Sequence, residues 1–150
     1  MKHSLVVGLA ALLVACGHSL WPTTVVVTPQ PVSQAFACVD SVATTLGYKA
    51  FQSKPTEGFL RTRKSVTDGS RDLFDHQAYD QLKIELLPVQ GGQGTTLTVT
   101  AESYTEQLSR RSREQVEKPA RVGVIADART VVEVCGTAQQ PRQDRVPSVL

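Results

Sequence analysis

Histidine, cysteine and methionine are scarce in this chain, and that scarcity closes off several kinds of chemistry. Its 150 residues hold three histidines, three cysteines and one methionine. No Cys-x-x-Cys and no close pair of histidines occurs, so zinc has no local framework. No Gly-x-Ser-x-Gly elbow stands near a histidine, and calcium-loop spacing is missing. A permanent membrane helix needs ~20 apolar residues, and the run Leu5 to Ala15 falls well short of that. Sixteen basic residues against 14 acidic leave a formal charge of +2, too balanced for an obligate nucleic-acid binder. At this length, with 41% apolar residues, the chain supports one core rather than two domains.

What is present begins with an address. Lys2 and His3 precede the apolar run, which has the length of a secretory h-region. It ends in Leu13-Val14-Ala15-Cys16, followed by Gly17. This resembles the lipobox of bacterial lipoproteins: a branched residue, then small residues, then Cys. The resemblance implies removal of 1–15 as a signal peptide and attachment of lipid to Cys16. An ordinary secretory signal cut after Ala15 is the alternative. Two or three acyl chains make a lasting anchor where one does not. In this family an Asp after the Cys often marks retention at the inner membrane. Gly17 therefore implies the inner leaflet of the outer membrane, facing the periplasm.

Export then bears on the other two cysteines. In an oxidising compartment Cys38 and Cys135 are expected to pair. The competing readings, zinc ligation and a reactive thiol, find no second metal ligand pair and no local basic neighbour.

Along the chain, 16–32 reads as a lipidated tether with several prolines, and Trp21 carries the kind of ring that favours a lipid interface. The other reading of Val25-Val26-Val27 is a strand added to the domain. The domain itself is expected over 33–137. Ser33 is placed to cap a helix in which Ala35, Phe36, Val39, Val42, Ala43 and Leu46 recur at helical spacing, with Gly47 as a left-handed stop. Extended segments follow at 48–52 and 59–64, around the turn Pro55-Thr56-Glu57-Gly58. The clearest strand is 80–87, with Leu82, Ile84 and Leu86 inward, joined through 90–94 to a partner at 95–104. After Pro119, Val124, Ile125, Ala128, Val131, Val132 and Cys135 follow a helical period up to Gly136, although the β-branched content leaves a strand open. The tail 138–150 reads as flexible. The expected fold is α+β: a two-layer sandwich of about four antiparallel strands. An N-terminal and a C-terminal helix, linked by the disulfide, cover one face.

Two polar clusters are candidates for function. Asp68, Arg71, Asp72, Asp75, His76 and Asp80 would offer carboxylates and an imidazole for a divalent ion or a hydrolase. They lie in a long connection and read better as a solvated loop, and His76 would be the only histidine of the mature domain. The second cluster is basic: Arg61, Arg63 and Lys64 on one strand, with Arg110, Arg111 and Arg113 after the last strand. If they converge, they suit anionic lipid or an acidic partner, but Glu102, Glu106, Glu114 and Glu117 are interleaved. Leu108-Ser109-Arg110-Arg111-Ser112 with Val116 is similar to the peptidoglycan-binding helix of OmpA-like domains. Ser112 and Arg113 stand where that family has Arg and Ala, and its Asp loop is missing, so its function is not carried over. The expectation is a non-enzymatic binding or envelope-assembly module needing no cofactor or metal. The alternative is a binder of lipid, lipopolysaccharide or another amphiphile between sheet and helices. The expected partners are the membrane, through the anchor, and an envelope protein or anionic lipid, with no nucleic acid.

Overall fold

The alternation of Leu82-Lys83-Ile84-Glu85-Leu86 belongs to a hairpin much longer than the pattern itself. In the computed structural model, which describes residues 20–66, 76–108 and 112–137, β4 (His76–Pro88) pairs antiparallel with β5 (Thr95–Leu108) over its full length. The register runs from His76↔Gln107 to Pro88↔Thr95. On the other side of β4 lies β3 (Phe59–Val66), and β2 (Lys49–Lys54) forms the edge beyond it. A single 3-10 turn, Pro55–Glu57, joins β2 to β3.

The free flank of β5 carries two strands end to end. Its first half pairs with β1 (Thr23–Thr28) and its second half with β6 (Arg113–Lys118). The sheet therefore has six antiparallel strands rather than about four, in the order β1-β5-β4-β3-β2 with β6 beside β5. The tether expected over 16–32 is corrected by β1. Prolines flank this Thr-Val run at 22, 29 and 31, but an edge strand tolerates proline at its ends, and the β-branched residues between fit a pleated surface. β6 has no buried residue, so no apolar alternation announces it. Its strand geometry also corrects the helical resemblance at Val116, while 109–111 lie outside the described residues.

Two helices, α1 (Val32–Thr45) and α2 (Val122–Gly136), cover one face. α1 starts one residue before Ser33: Pro31 occupies the cap position, and no side chain caps it. The proline ring fixes φ at −66° there, and the Pro31 carbonyl accepts from Gln34 N–H and Ala35 N–H at 3.0 Å each. At the other end Gly47 adopts φ 88°, and Gly47 N–H and Tyr48 N–H donate to the Thr44 and Ala43 carbonyls at 3.0 Å each. That is the left-handed cap the sequence suggested. Gly136 differs from expectation. It remains helical, and its missing side chain matters for packing: a Cβ there would lie 2.9 Å from Val26 Cγ1 on β1.

The core lies between the layers. Leu60, Leu82, Ile84, Leu86, Leu97 and Val99 from the sheet are at most 1% exposed, as are Val39, Val124 and Val131 from the helices. Each side chain of this kind contributes ~1.5–3 kcal/mol by burial. Cys38 and Cys135 are disulfide-bonded with their α-carbons 5.8 Å apart, linking α1 to α2 across 97 residues of sequence. Among the described residues no helix is long and apolar enough to cross a membrane. Cys16, the leader and 138–150 lie outside the described residues.

Reducing the bridge, or replacing both partners (Cys38→Ser with Cys135→Ser), lowers stability by about 4–5 kcal/mol through the freed loop. Urea unfolding reads this as a lower midpoint, and an unchanged midpoint would mean that packing alone holds the helices together.

Candidate binding face

Alternation fixes which side chains reach each face. On the helix side of β3 to β5 the apolar rows end in charge. Asp80 is buried, where a solvated position was expected for the cluster it belongs to. Ser103 Oγ and Arg121 Nη1 both donate to Asp80 Oδ1 at 2.6 Å, and Arg121 N–H donates to Ser103 Oγ at 3.1 Å. Nearby, Lys64 Nζ and the Tyr48 hydroxyl donate to Asp127 Oδ2 on α2 at 2.7 and 2.9 Å. Lys64 Nζ also lies 4.5 Å from the centre of the Tyr48 ring. These groups satisfy one another and fix the start of α2 on the sheet. Asp68, Arg71, Asp72 and Asp75 lie outside the described residues, and His76 opens β4. Among the described residues no group of three or more His, Cys, Asp or Glu could hold a metal ion.

The opposite face has no helix over it. Arg61 and Arg63 project there from β3, Tyr79 and Gln81 from β4, and Glu102, Tyr104 and Glu106 from β5. Registers Arg61↔Lys83, Arg63↔Gln81 and Tyr79↔Tyr104 bring these rows side by side. Arg61 Nη2 lies 3.4 Å from Glu102 Oε2, which also accepts from Gln81 Nε2. Glu106 is held between Arg63 Nη1 and Arg113 Nε, each at 3.7 Å. Both glutamates are largely covered, with side chains 8% and 11% exposed. The Tyr79 and Tyr104 rings stack at 5.5 Å, and the Arg63 guanidinium lies 5.2 Å from Tyr79 and 5.5 Å from Phe51.

Of the six basic residues singled out from the sequence, Arg61, Arg63 and Arg113 meet on this face. Lys64 faces the other way, toward α2, because it is one residue out of phase with Arg63. Arg110 and Arg111 lie outside the described residues. Where the arginines do converge, Glu102 and Glu106 neutralise them, so the face is mixed in sign. Those glutamates were legible in the sequence only as interleaved charge. Their even spacing with Tyr104 was the signal that all three share one face.

Between β5 and β6 the face dips into a cavity of about 120 Å³, lined by Trp21, Arg61, Glu102, Tyr104, Gln115 and Glu117 among others. Trp21 closes one side, its Nε1–H donating to the Lys118 carbonyl at 3.2 Å. The buried Arg61 Nε has no hydrogen-bond partner among the described residues. No family model and no curated protein matches the chain. Function has to be read from the side chains themselves.

Burial, together with the Asp127 carboxylate, raises the Tyr48 phenol above the ordinary tyrosine value of 10.0. Burial raises Tyr104 as well, partly opposed by Arg63. In the unfolded chain these phenols lose protons near their ordinary value, whereas the folded protein keeps them. The stability they contribute is therefore present below pH ~10 and falls as pH rises beyond it. Urea midpoints should decline above pH 10, and Tyr48→Phe should flatten part of that decline. At neutral pH the same change should cost about 1 kcal/mol, from its lost hydrogen bond.

Proposed function

We propose that this chain is an exported lipoprotein, acylated at Cys16 and held at the outer membrane facing the periplasm. On this reading its domain is a non-enzymatic binding module in envelope assembly, docking a protein partner on the open sheet face. The observation that carries the docking surface is the exposed Phe51 beside Arg63, backed by the stacked rings of Tyr79 and Tyr104, with Arg61 and Arg63 already paired to Glu102 and Glu106. Tyr, Trp and Arg dominate the energetics of protein interfaces, and groups held in place before binding lose little freedom on contact. The mixed charge of the face supports a protein partner over an anionic lipid surface, since paired charges cancel the field that such lipids would feel. The close packing of Leu82, Ile84, Val99 and Val131 between the layers supports docking outside the sandwich rather than a ligand within it.

The anchor fits this use. Only six residues separate Cys16 from Thr23, a reach of at most about 25 Å, which keeps the sheet close to the membrane surface.

Two measurements test the proposal. Cells given labelled palmitate should yield a labelled chain whose label is lost with Cys16→Ser. An unmodified N-terminus by mass spectrometry would refute the anchor. For the docking face, a photocrosslinker at position 51, beside Arg63, in intact cells should give one discrete protein adduct. Arg61→Ala with Arg63→Ala should abolish it while the chain still unfolds in urea as one cooperative transition. No adduct, or one indifferent to those changes, refutes docking at this face.

A further inference from the structure

Two strands share one flank of β5, and the open face is incompletely filled where they meet. β1 pairs with β5 up to Thr23↔Thr100, and β6 begins its pairing at Ser103↔Lys118. Two backbone bonds span the break: Ala101 N–H donates to the Pro22 carbonyl at 3.0 Å, and Ala120 N–H to the Leu20 carbonyl at 2.9 Å. Trp21 stands in this break, and beside it lies the cavity of about 120 Å³. That is near the scale of a cavity that holds one six-membered ring, about 150 Å³.

The walls of the cavity divide by chemistry. Trp21 and Tyr104 supply ring surface, while Arg61, Glu102, Gln115 and Glu117 supply planar groups with two or more polar atoms each. Glu102 is already engaged by Arg61 and Gln81, and its side chain is 8% exposed. Gln115 and Glu117 differ. They lie opposite Glu106 and Tyr104 on β5, are exposed, and make no side-chain hydrogen bond or ion pair among the described residues. Glu102 and Glu106 are each paired with arginine, whereas Glu117, on the same face, is not.

This set of groups selects a neutral occupant that both donates and accepts. A cation would sit beside the Arg61 guanidinium, and an anion beside Glu102 and Glu117, so either meets like charge. An apolar group would cover Gln115 and Glu117 without giving them a partner. A sugar hydroxyl accepts from the guanidinium or the Gln115 amide and donates to the Glu117 carboxylate, while the C–H face of the sugar ring packs on the indole. We propose that the cavity holds one neutral pyranose of a glycan chain. A peptide amide also donates and accepts, but it brings one polar plane. A pyranose carries hydroxyls around its rim and so reaches polar groups on β3, β5 and β6 together. The site stands apart from the docking surface, since Phe51 lies on β2 and the cavity between β5 and β6.

Trp21 is the single tryptophan of the chain, so its emission reports on this cavity alone. The full-length chain, in a detergent without a sugar headgroup, is titrated with oligomers of N-acetylglucosamine and of glucose. At least one series should give a saturable shift in emission. Glu117→Ala with Gln115→Ala should weaken that binding about tenfold or more, the loss expected for hydrogen bonds that include a charged group. The urea midpoint should not move, because neither side chain has a partner to lose. Cosedimentation with purified peptidoglycan sacculi and with lipopolysaccharide separates two envelope sources of such a sugar. Retention on either, lost in the double variant, supports the proposal and names the source. The proposal is overturned if no oligosaccharide moves the emission and neither glycan retains the chain. It is equally overturned if methylguanidinium or phosphate gives the same saturable shift, or if the double variant binds sugar as well as the wild type. The protein adduct from position 51 should persist in the double variant, so the docking surface and the sugar site fail separately.

Discussion

Two helices of 14 and 15 residues, each about 20 Å long, have to cover a sheet whose central strands run 13 and 14 residues. They can do so on one face only. The disulfide between Cys38 and Cys135 holds them side by side there, so the apolar rows of β3, β4 and β5 meet a single continuous surface. Everything on the opposite face follows from that one-sided cover. Its side chains cannot be a second core, yet Glu102, Glu106, Tyr79 and Tyr104 are nearly as buried as core residues. They are buried by one another, in rows of alternating charge and ring.

Stability alone does not account for that arrangement. Partly exposed pairs at 3.4 to 3.7 Å, such as Arg61–Glu102 and Arg63–Glu106, contribute ~0–1 kcal/mol each. A simple lysine–threonine surface would keep the sheet soluble without stacking two tyrosines and wedging guanidinium groups against aromatic rings. What the pairing does achieve is order: long arginine side chains are held in one geometry, and their charge is cancelled locally. The helix-side network differs in kind. Asp80, Ser103 and Arg121 join β4, β5 and the first residue before α2 through bonds as short as 2.6 Å. Tyr48, Lys64 and Asp127 join the end of α1 to β3 and α2. These bonds orient α2, which in turn brings Cys135 to Cys38.

Much of this was legible in the sequence wherever burial imposes a period. Val39 and Ala43, Leu82 and Ile84, Leu97 and Val99, and Val124 and Val131 each repeat at the spacing of the element that buries them. β6 escaped, and β1 was legible only as the second reading of Val25-Val26-Val27, because both are held by backbone pairing to β5, which leaves no apolar rhythm. The prolines around β1 also resemble those of a linker. Ser33 was a plausible cap, but proline two residues earlier already sets the entry angle. Gly136 looked like a stop signal, yet it is small because Val26 lies against it. The site was half legible for a related reason. Arginine positions are visible in a sequence, but which glutamate neutralises which arginine depends on register across β3, β4 and β5, a long-range property.

The two surfaces drawn from this fold are independent because of where β5 lies. One flank of β5 pairs with β4 and so builds the open face around Tyr104. Its other flank is shared by β1 and β6, and the cavity beside Trp21 lies where these two meet. A sugar ring seated there rests against β5 and β6, whereas a protein docked on Phe51 and Arg63 sits over β2 and β3. Neither event asks the helices to move or the core to open.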